Sequence, residues 1–139
     1  MIRIPAKVVQ IDDYAFSFIG NERFEVDPGN TSFSAVDGLL LDAAGNELLL
    51  CPAGRKGEVV VPDGVISILG FTFTCAKGVT DVVIPDSVQC IDSVSFDKVY
   101  REDENGNRTA EYSVTIHCSE GSYAHQYAVA RGIPCRTDR

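Results

Sequence analysis

The feature that most constrains the fold is a spacing of apolar residues that recurs after three prolines. Apolar residues follow each proline at three, six and eleven positions, and the last is always phenylalanine. The three copies are Val8, Ile11 and Phe16 after Pro5; Val65, Ile68 and Phe73 after Pro62; and Val88, Ile91 and Phe96 after Pro85. The last two copies lie 23 residues apart. A fixed period of this length is typical of a solenoid, in which each repeat is too small to bury its own apolar face.

Each copy predicts one coil of such a solenoid. The alternation at 59–61 and 82–84 predicts short strands, with residues 59, 61, 82 and 84 pointing inward. Proline ends each strand because it cannot donate to the next ladder. The apolar residues that follow return the chain to the core, and Phe73 and Phe96 are predicted to stack in successive coils.

Two insertions interrupt the repeat. Phe24 and Val26 fit a degenerate copy, and the segment at about 34–54 after it is predicted to be an inserted hairpin with strands at 39–41 and 48–50. A second, polar hairpin is predicted at about 98–112, with a turn at Asn105-Gly106. The last strand is expected at 113–116.

The C-terminal segment at about 118–135 changes to a helical period and is predicted to cap the last coil. Ser122 can begin the helix, and Gly132 followed by Pro134 ends it. The predicted packing face holds Tyr123, Tyr127 and Ala130.

Written as apolar-x-apolar-Pro-x-x-Val-x-x-Ile-x-x-x-x-Phe, the pattern resembles the BspA-like, or treponemal-type, class of leucine-rich repeats. The resemblance spans nearly the whole chain, so residues 1–139 are interpreted as a single domain of that type. It implies a mostly β solenoid with short parallel strands on its concave face. It also implies a bacterial or similar microbial surface or secreted protein that binds other macromolecules, without catalytic residues. Thr72 and Ser95 depart from the pattern, because alanine usually precedes the phenylalanine.

Composition narrows the classes of partner. The formal net charge of −8 argues against nucleic acid, whose binding draws on Lys and Arg. The apolar runs are too short for a membrane span. The first residues do not have the pattern of an export signal, so a surface or secreted location is expected only if the chain is a fragment of a longer protein.

Few residues suggest chemistry, and no catalytic, cofactor or metal site is predicted. His117 and Cys118 are adjacent, which raises the alternative of a hydrolase, but neighbours in a strand point to opposite faces. The segment at 103–107 begins like a calcium loop but has Arg108 where the loop requires glycine. The five cysteines form no C-x-x-C pair, and most are predicted to be buried and reduced.

A candidate binding surface remains, which we call the concave strip. It consists of the outward residues between the inward ones, namely Arg3, Glu25, Val60, Val83 and Thr115. The leading hypothesis is a non-enzymatic module that binds an unidentified protein or cell-surface ligand through this strip or the hairpins. The alternative is a structural C-terminal segment of a longer repeat protein with no binding role of its own.

The first coil has no cap before it in the sequence. Its apolar residues Ile2, Ile4 and Val8 therefore predict self-association through this end. The alternatives are that the chain is a fragment whose earlier repeats are missing, or that the inserted hairpin covers the first coil, which is the least expected arrangement.

Overall fold

The computed structural model describes residues 1–11, 20–73, 76–93, 95–96 and 98–137. Phe16 and Cys75 lie outside the described residues. In chain order the described strands are β1 (Ile2–Ile4), β2 (Phe24–Val26), β3 (Phe33–Val36), β4 (Leu39–Asp42), β5 (Glu47–Leu50), β6 (Lys56–Val60), β7 (Ser67–Ile68), β8 (Gly78–Val83), β9 (Cys90–Ile91), β10 (Lys98–Glu102), β11 (Arg108–Tyr112), β12 (Thr115–His117) and β13 (Cys135–Arg136). One helix, α1 (Tyr123–Arg131), precedes β13. The chain is therefore mostly β, as predicted.

The parallel strands of the concave side form two separate sheets. Strands β6, β8, β12 and β13 form one parallel sheet, in the order β13-β12-β8-β6. Strands β1 and β2 form a second, two-stranded parallel sheet. Val59, Val82 and Ile116 stand in register and are buried. Val61 and Ile84 are buried as well. The predicted inward positions 59, 61, 82 and 84 are thus confirmed.

The apolar residues six positions after Pro62 and Pro85 lie in a second sheet on the other side of the coil. Ile68 in β7 pairs with Ile91 in β9, and β7 also pairs in parallel with β5. The sheet order is β3-β4-β5-β7-β9. Strands β7 and β9 have only two residues each. They are long enough to align successive coils but too short to give a sequence signal of their own.

The predicted phenylalanine stack is present between the two sheets. The rings of Phe73 and Phe96 are buried and nearly parallel, with 4.9 Å between centroids and an interplanar angle of 8°. Thr72 and Ser95, which stand where the repeat usually has alanine, directly precede the two phenylalanines. The buried hydroxyls of Thr72 and Ser95 both donate to the carbonyl oxygen of Leu69, at 2.7 and 2.8 Å. They therefore satisfy backbone acceptors that alanine would leave to other donors.

The first insertion is a three-stranded antiparallel meander, β3-β4-β5, rather than the two-stranded hairpin expected. The additional strand β3 joins β4 through Asp37 and Gly38, whose φ angles of 52° and 81° match a tight hairpin turn with both residues left-handed. A side chain at Gly38 would also meet Cβ of Arg23 at 2.6 Å. Glycine is required here for conformation and for space.

Strand β4 divides the interior into two cores. Leu39 and Leu41 belong to the large core, which also holds the phenylalanine stack. Leu40 faces the other way, into a small core with Ile4 and Phe24. The meander therefore packs against the core-facing side of the first coil, the arrangement that the sequence made least expected, while among the described strands β1 still pairs only with β2.

Helix α1 caps the last coil. Ser122 accepts from the backbone N–H of His125 at 3.2 Å, and Gly132 ends the helix in the left-handed conformation. Its buried residues are Ala124, Tyr127 and Ala128, whereas Ala130 is exposed, so the face predicted from Ala130 was wrong at that position. Within the described residues, no helix has the length and apolar character to cross a membrane.

Two tyrosines of α1 end the second sheet by hydrogen bonding to its last strand. The Tyr123 hydroxyl accepts from the N–H of Ile91 at 3.3 Å, and the Tyr127 hydroxyl donates to the carbonyl of Asp92 at 2.9 Å. Side-chain groups thus replace the next strand at this edge. Burial raises the pKa of Tyr127 to about 12, so the hydroxyl remains a donor.

Candidate binding surface

The concave strip does not form a single row. Arg3 and Glu25 stand side by side in the two-stranded sheet. Val60 and Val83 stand side by side in the four-stranded sheet. Thr115 pairs with Asp81 instead, two residues before the level of Val83 in β8. All five side chains are at least partly exposed, but they lie in three places on two sheets.

The row that contains Val60 and Val83 continues through residues that the sequence did not indicate. His117 stands opposite Val83, and Arg136 stands opposite His117. Parallel strands lie about 4.8 Å apart, so the four side chains form one line across the sheet. The line is apolar at Val60, which is 50% exposed, and polar at Arg136. The sequence singled out His117 as the neighbour of Cys118 and did not place it in this row, because the polar hairpin before β12 changes the spacing that would set its register.

A hydrogen-bonded group of three side chains lies beside the two valines. His117 donates from Nε2 to Oδ1 of Asp81 at 2.8 Å, and Thr80 donates from Oγ1 to Oδ2 of the same carboxylate at 2.8 Å. These hydrogen bonds, that of His117 first, hold the pKa of Asp81 below its usual value. Asp81 is therefore an ionised, oriented acceptor on the sheet surface.

A bulge in β8 brings this group together. The register between β6 and β8 shifts at Gly57/Glu58, so that Thr80 is an extra residue between Val79 and Asp81. Val79 is buried, whereas Thr80 and Asp81 both face outward. Bulges re-aim side chains in this way and are frequent beside binding sites.

The N-terminal part of the concave side is a shallow groove of about 300 Å³ beside the turn that joins β3 and β4. Arg3 lies 3.4 Å from Asp27, and Arg23 lies 4.0 Å from Glu25, both as exposed ion pairs. Opposite charges are balanced here, so this half of the surface has no strong preference for one sign of partner.

The two halves are separated by the turn of the meander. The guanidinium of Arg55, in the loop before β6, donates to the carbonyl oxygens of Asp37 and Glu22. It thereby fixes the turn between β2 and β6. A partner that touches both halves must span this ridge.

The geometry gives no support to a Cys118–His117 nucleophile. The Cys118 thiol is buried on the core side of the strand, and burial raises its pKa. The His117 ring lies on the opposite face, bound to Asp81. A nucleophilic cysteine needs a lowered pKa and access to substrate.

The remaining candidate chemistry has structural explanations. In the hairpin of β10 and β11, the Asp103 carboxylate accepts from the N–H groups of Asn105 and Asn107, both at 2.9 Å. It therefore closes a turn.

Burial raises the pKa of Cys51 to about 12. Cys51, Cys90, Cys118 and Cys135 are free thiols. No group of three or more metal-binding side chains occurs in the part of the chain that the structure describes.

Comparison with known proteins places the fold among leucine-rich repeats. No protein-family model and no curated protein matches the sequence. Three solved structures do match, each over 65% of this chain. They are a leucine-rich cell surface protein from Faecalibacterium prausnitzii (32% identity, TM-score 0.54), a leucine-rich repeat protein from Eubacterium ventriosum (23%, 0.51) and the pneumococcal vaccine antigen PcpA (17%, 0.53).

The chain matches 24%, 31% and 23% of the lengths of these proteins, respectively. The parallel strands of the successive coils agree with a match to leucine-rich repeat structures. The chain therefore has the leucine-rich-repeat solenoid fold, in agreement with its resemblance to the BspA-like class.

Proposed function

We propose that this chain is a non-enzymatic module that binds a protein at a microbial cell surface through the face of its four-stranded concave sheet. The observation that carries the proposal is the pair of exposed Val60 and half-buried Val83, which stand side by side on strands β6 and β8 of a sheet whose other face is the large core. Rigid concave sheets are the surfaces that solenoids use for binding.

The surroundings of the valine pair match the anatomy of a protein interface. An apolar centre contributes most of the binding energy, and a polar rim contributes orientation and excludes water. Here the two valines are bordered by the bonded Asp81 and His117 and by Arg136. Asp81 is already oriented by two hydrogen bonds, so little conformational freedom is lost when a partner docks against it.

The cell-surface location is supported by one of the similar structures, which is described as a cell surface protein. The acidic net charge supports a protein rather than nucleic acid as partner. The alternative, a structural segment of a longer repeat protein, predicts that changes on the concave face have no effect on any interaction.

The test is capture of secreted and surface proteins by the immobilised domain, followed by titration of the captured protein against matched variants. The double variant Val60→Lys/Val83→Lys places two charges on the proposed surface. Val129→Lys is the control, because Val129 is 64% exposed and lies on the capping helix rather than on the sheet face. Circular dichroism and thermal melting establish that all three proteins are folded.

We expect the double variant to lose at least about thirty-fold in affinity, the effect of about 2 kcal/mol at an interface centre. Val129→Lys should bind as the unmodified chain does. Equal binding by all three proteins would contradict the proposal, and it would place the interaction on the hairpins or leave the structural alternative.

A further inference from the structure

We infer that strands β1 and β2 open as a unit while the large core and the four-stranded sheet remain folded. The inference concerns the fold itself and does not depend on the proposed function. It begins with the break in the concave side, where β1 and β2 pair only with each other among the described strands.

The two parts of the interior differ greatly in size. In the described part of the chain, the small core has three buried residues, Ile4, Phe24 and Leu40, with seven partly buried apolar side chains packed against them. The large core runs from the meander through the phenylalanine stack to α1. Local opening is easiest where few apolar side chains are buried, so the small core is the weaker of the two.

The meander forms the boundary between the two parts. Leu41 pairs with Leu48, and β5 continues into the second sheet through Leu48 and Ile68. Leu40, on the opposite face, is the buried residue that β4 contributes to the small core. The meander can therefore stay with the large core when β1 and β2 leave.

Among the described residues, hydrogen bonds near β2 join the two strands to the meander and to the loop before β6. The backbone N–H of Phe24 donates to the carbonyl of Gly38 at 2.8 Å, Gly54 donates to that of Asn21 at 2.7 Å, and the Arg55 guanidinium donates to that of Glu22 at 3.5 Å. The side-chain oxygen of Asn21 is buried and lacks a hydrogen-bond partner in the structure as described. Opening returns this oxygen to water, which favours the open state.

The inference bears on the concave strip. Arg3 and Glu25 belong to the unit that opens, whereas Val60, Val83 and Thr115 belong to the part that stays folded. A partner that contacts both groups would stabilise the closed state through its binding energy.

Amide hydrogen exchange followed by NMR tests the inference with two neighbouring leucines. Leu40 and Leu41 are equally buried but face different cores. The reporters in the opening unit are the bonded amides of Ile2 and Asp27, and those in the large part are Val61 and Ile116.

Leu41→Ala destabilises the closed and the open state equally, because the large core is intact in both. It should leave the exchange rates of the Ile2 and Asp27 amides unchanged and raise those of the Val61 and Ile116 amides at least about thirty-fold. Leu40→Ala destabilises only the closed state and should accelerate both sets. That variant is the matched control, since it shows that exchange at Ile2 and Asp27 responds to a lost leucine.

Acceleration of both sets in Leu41→Ala would overturn the inference, because it would mean that the chain opens as one unit. Should Leu41→Ala fail to fold, Val79→Ala removes a smaller part of the large core and makes the same prediction. The unmodified chain gives a further test. At low denaturant, exchange at Ile2 and Asp27 should depend less on denaturant than exchange at Val61, since the local opening exposes less surface. Equal dependence would also overturn the inference.

Discussion

Replacing Phe73 with alanine removes one ring of the stack that joins two successive coils. The ring is buried and lies 4.9 Å from that of Phe96. Emptying a buried phenylalanine site costs about 3–5 kcal/mol. We expect the upper half of this range, because Phe96 also loses an aromatic partner whose stacking contributes about 0.5–1.5 kcal/mol beyond the buried area.

The assay is chemical denaturation, in which the midpoint should fall while the dependence of the unfolding free energy on denaturant concentration stays the same. The thermal midpoint is a second measure. For a chain of this length, the expected loss corresponds to a fall in Tm of roughly 10–20 °C. Phe73→Leu is the matched control, because it keeps most of the apolar volume and should lose much less. A loss below about 1 kcal/mol in the alanine variant, typical of a surface substitution, would refute the packing of the coils described above.

Four further predictions follow from the same structure. Val83→Asp should leave the unfolding transition nearly unchanged, whereas Val82→Asp should abolish cooperative unfolding, because Val82 is buried and Val83 faces outward; similar melting curves would contradict the strand phase. Thr72→Val should cost about 0.5–1.5 kcal/mol in chemical denaturation, since it removes a buried hydroxyl donor while the carbonyl of Leu69 still accepts from Ser95, and an unchanged midpoint would count against that bond. The lowered pKa of Asp81 contributes stability that is present above the ordinary value of 3.8 and is lost as the pH falls through the lower folded value, so Asp81→Asn should reduce the loss of stability in acid titrations of Tm; the same acid profile in both proteins would contradict this contribution. Self-association through the first coil predicts a scattering mass that rises with concentration and falls in Ile2→Lys, and a constant monomer mass would exclude it.

Much of the coil geometry could be predicted because the repeat encodes it locally. Strand alternation fixed which of Val59 and Val60 points inward, and the spacing from Pro62 to Phe73 fixed the stack. Such features depend on residues within one coil. They recur, so each copy supports the others.

The meander could not be placed in the same way, although a signal for it was present. Asp37-Gly38 between apolar residues is a strong hairpin signal and marks β3. The run of three leucines at 39–41 also has no polar alternation, which indicates a strand that is buried on both faces. Recognising that the two faces belong to different cores requires the tertiary structure.

The candidate site was predicted only in outline. The outward positions of Val60 and Val83 followed from alternation, but the bond between His117 and Asp81 joins residues 36 positions apart. The bulge that places Thr80 beside Asp81 has no signal in the repeat pattern. Cross-strand contacts of this kind depend on register, and the polar hairpin at 98–112 changes the spacing that would have set it.

The central claim is that a protein partner docks on Val60 and Val83, and methyl cross-saturation NMR measures this contact directly. The domain is labelled at its valine and isoleucine methyl groups, and the captured partner is irradiated in the complex. The account predicts saturation transfer to the methyl groups of Val60 and Val83 and none to those of Ile66 or Val129, which are exposed elsewhere. Transfer to Ile66 or Val129 with none to Val60 and Val83 would contradict it.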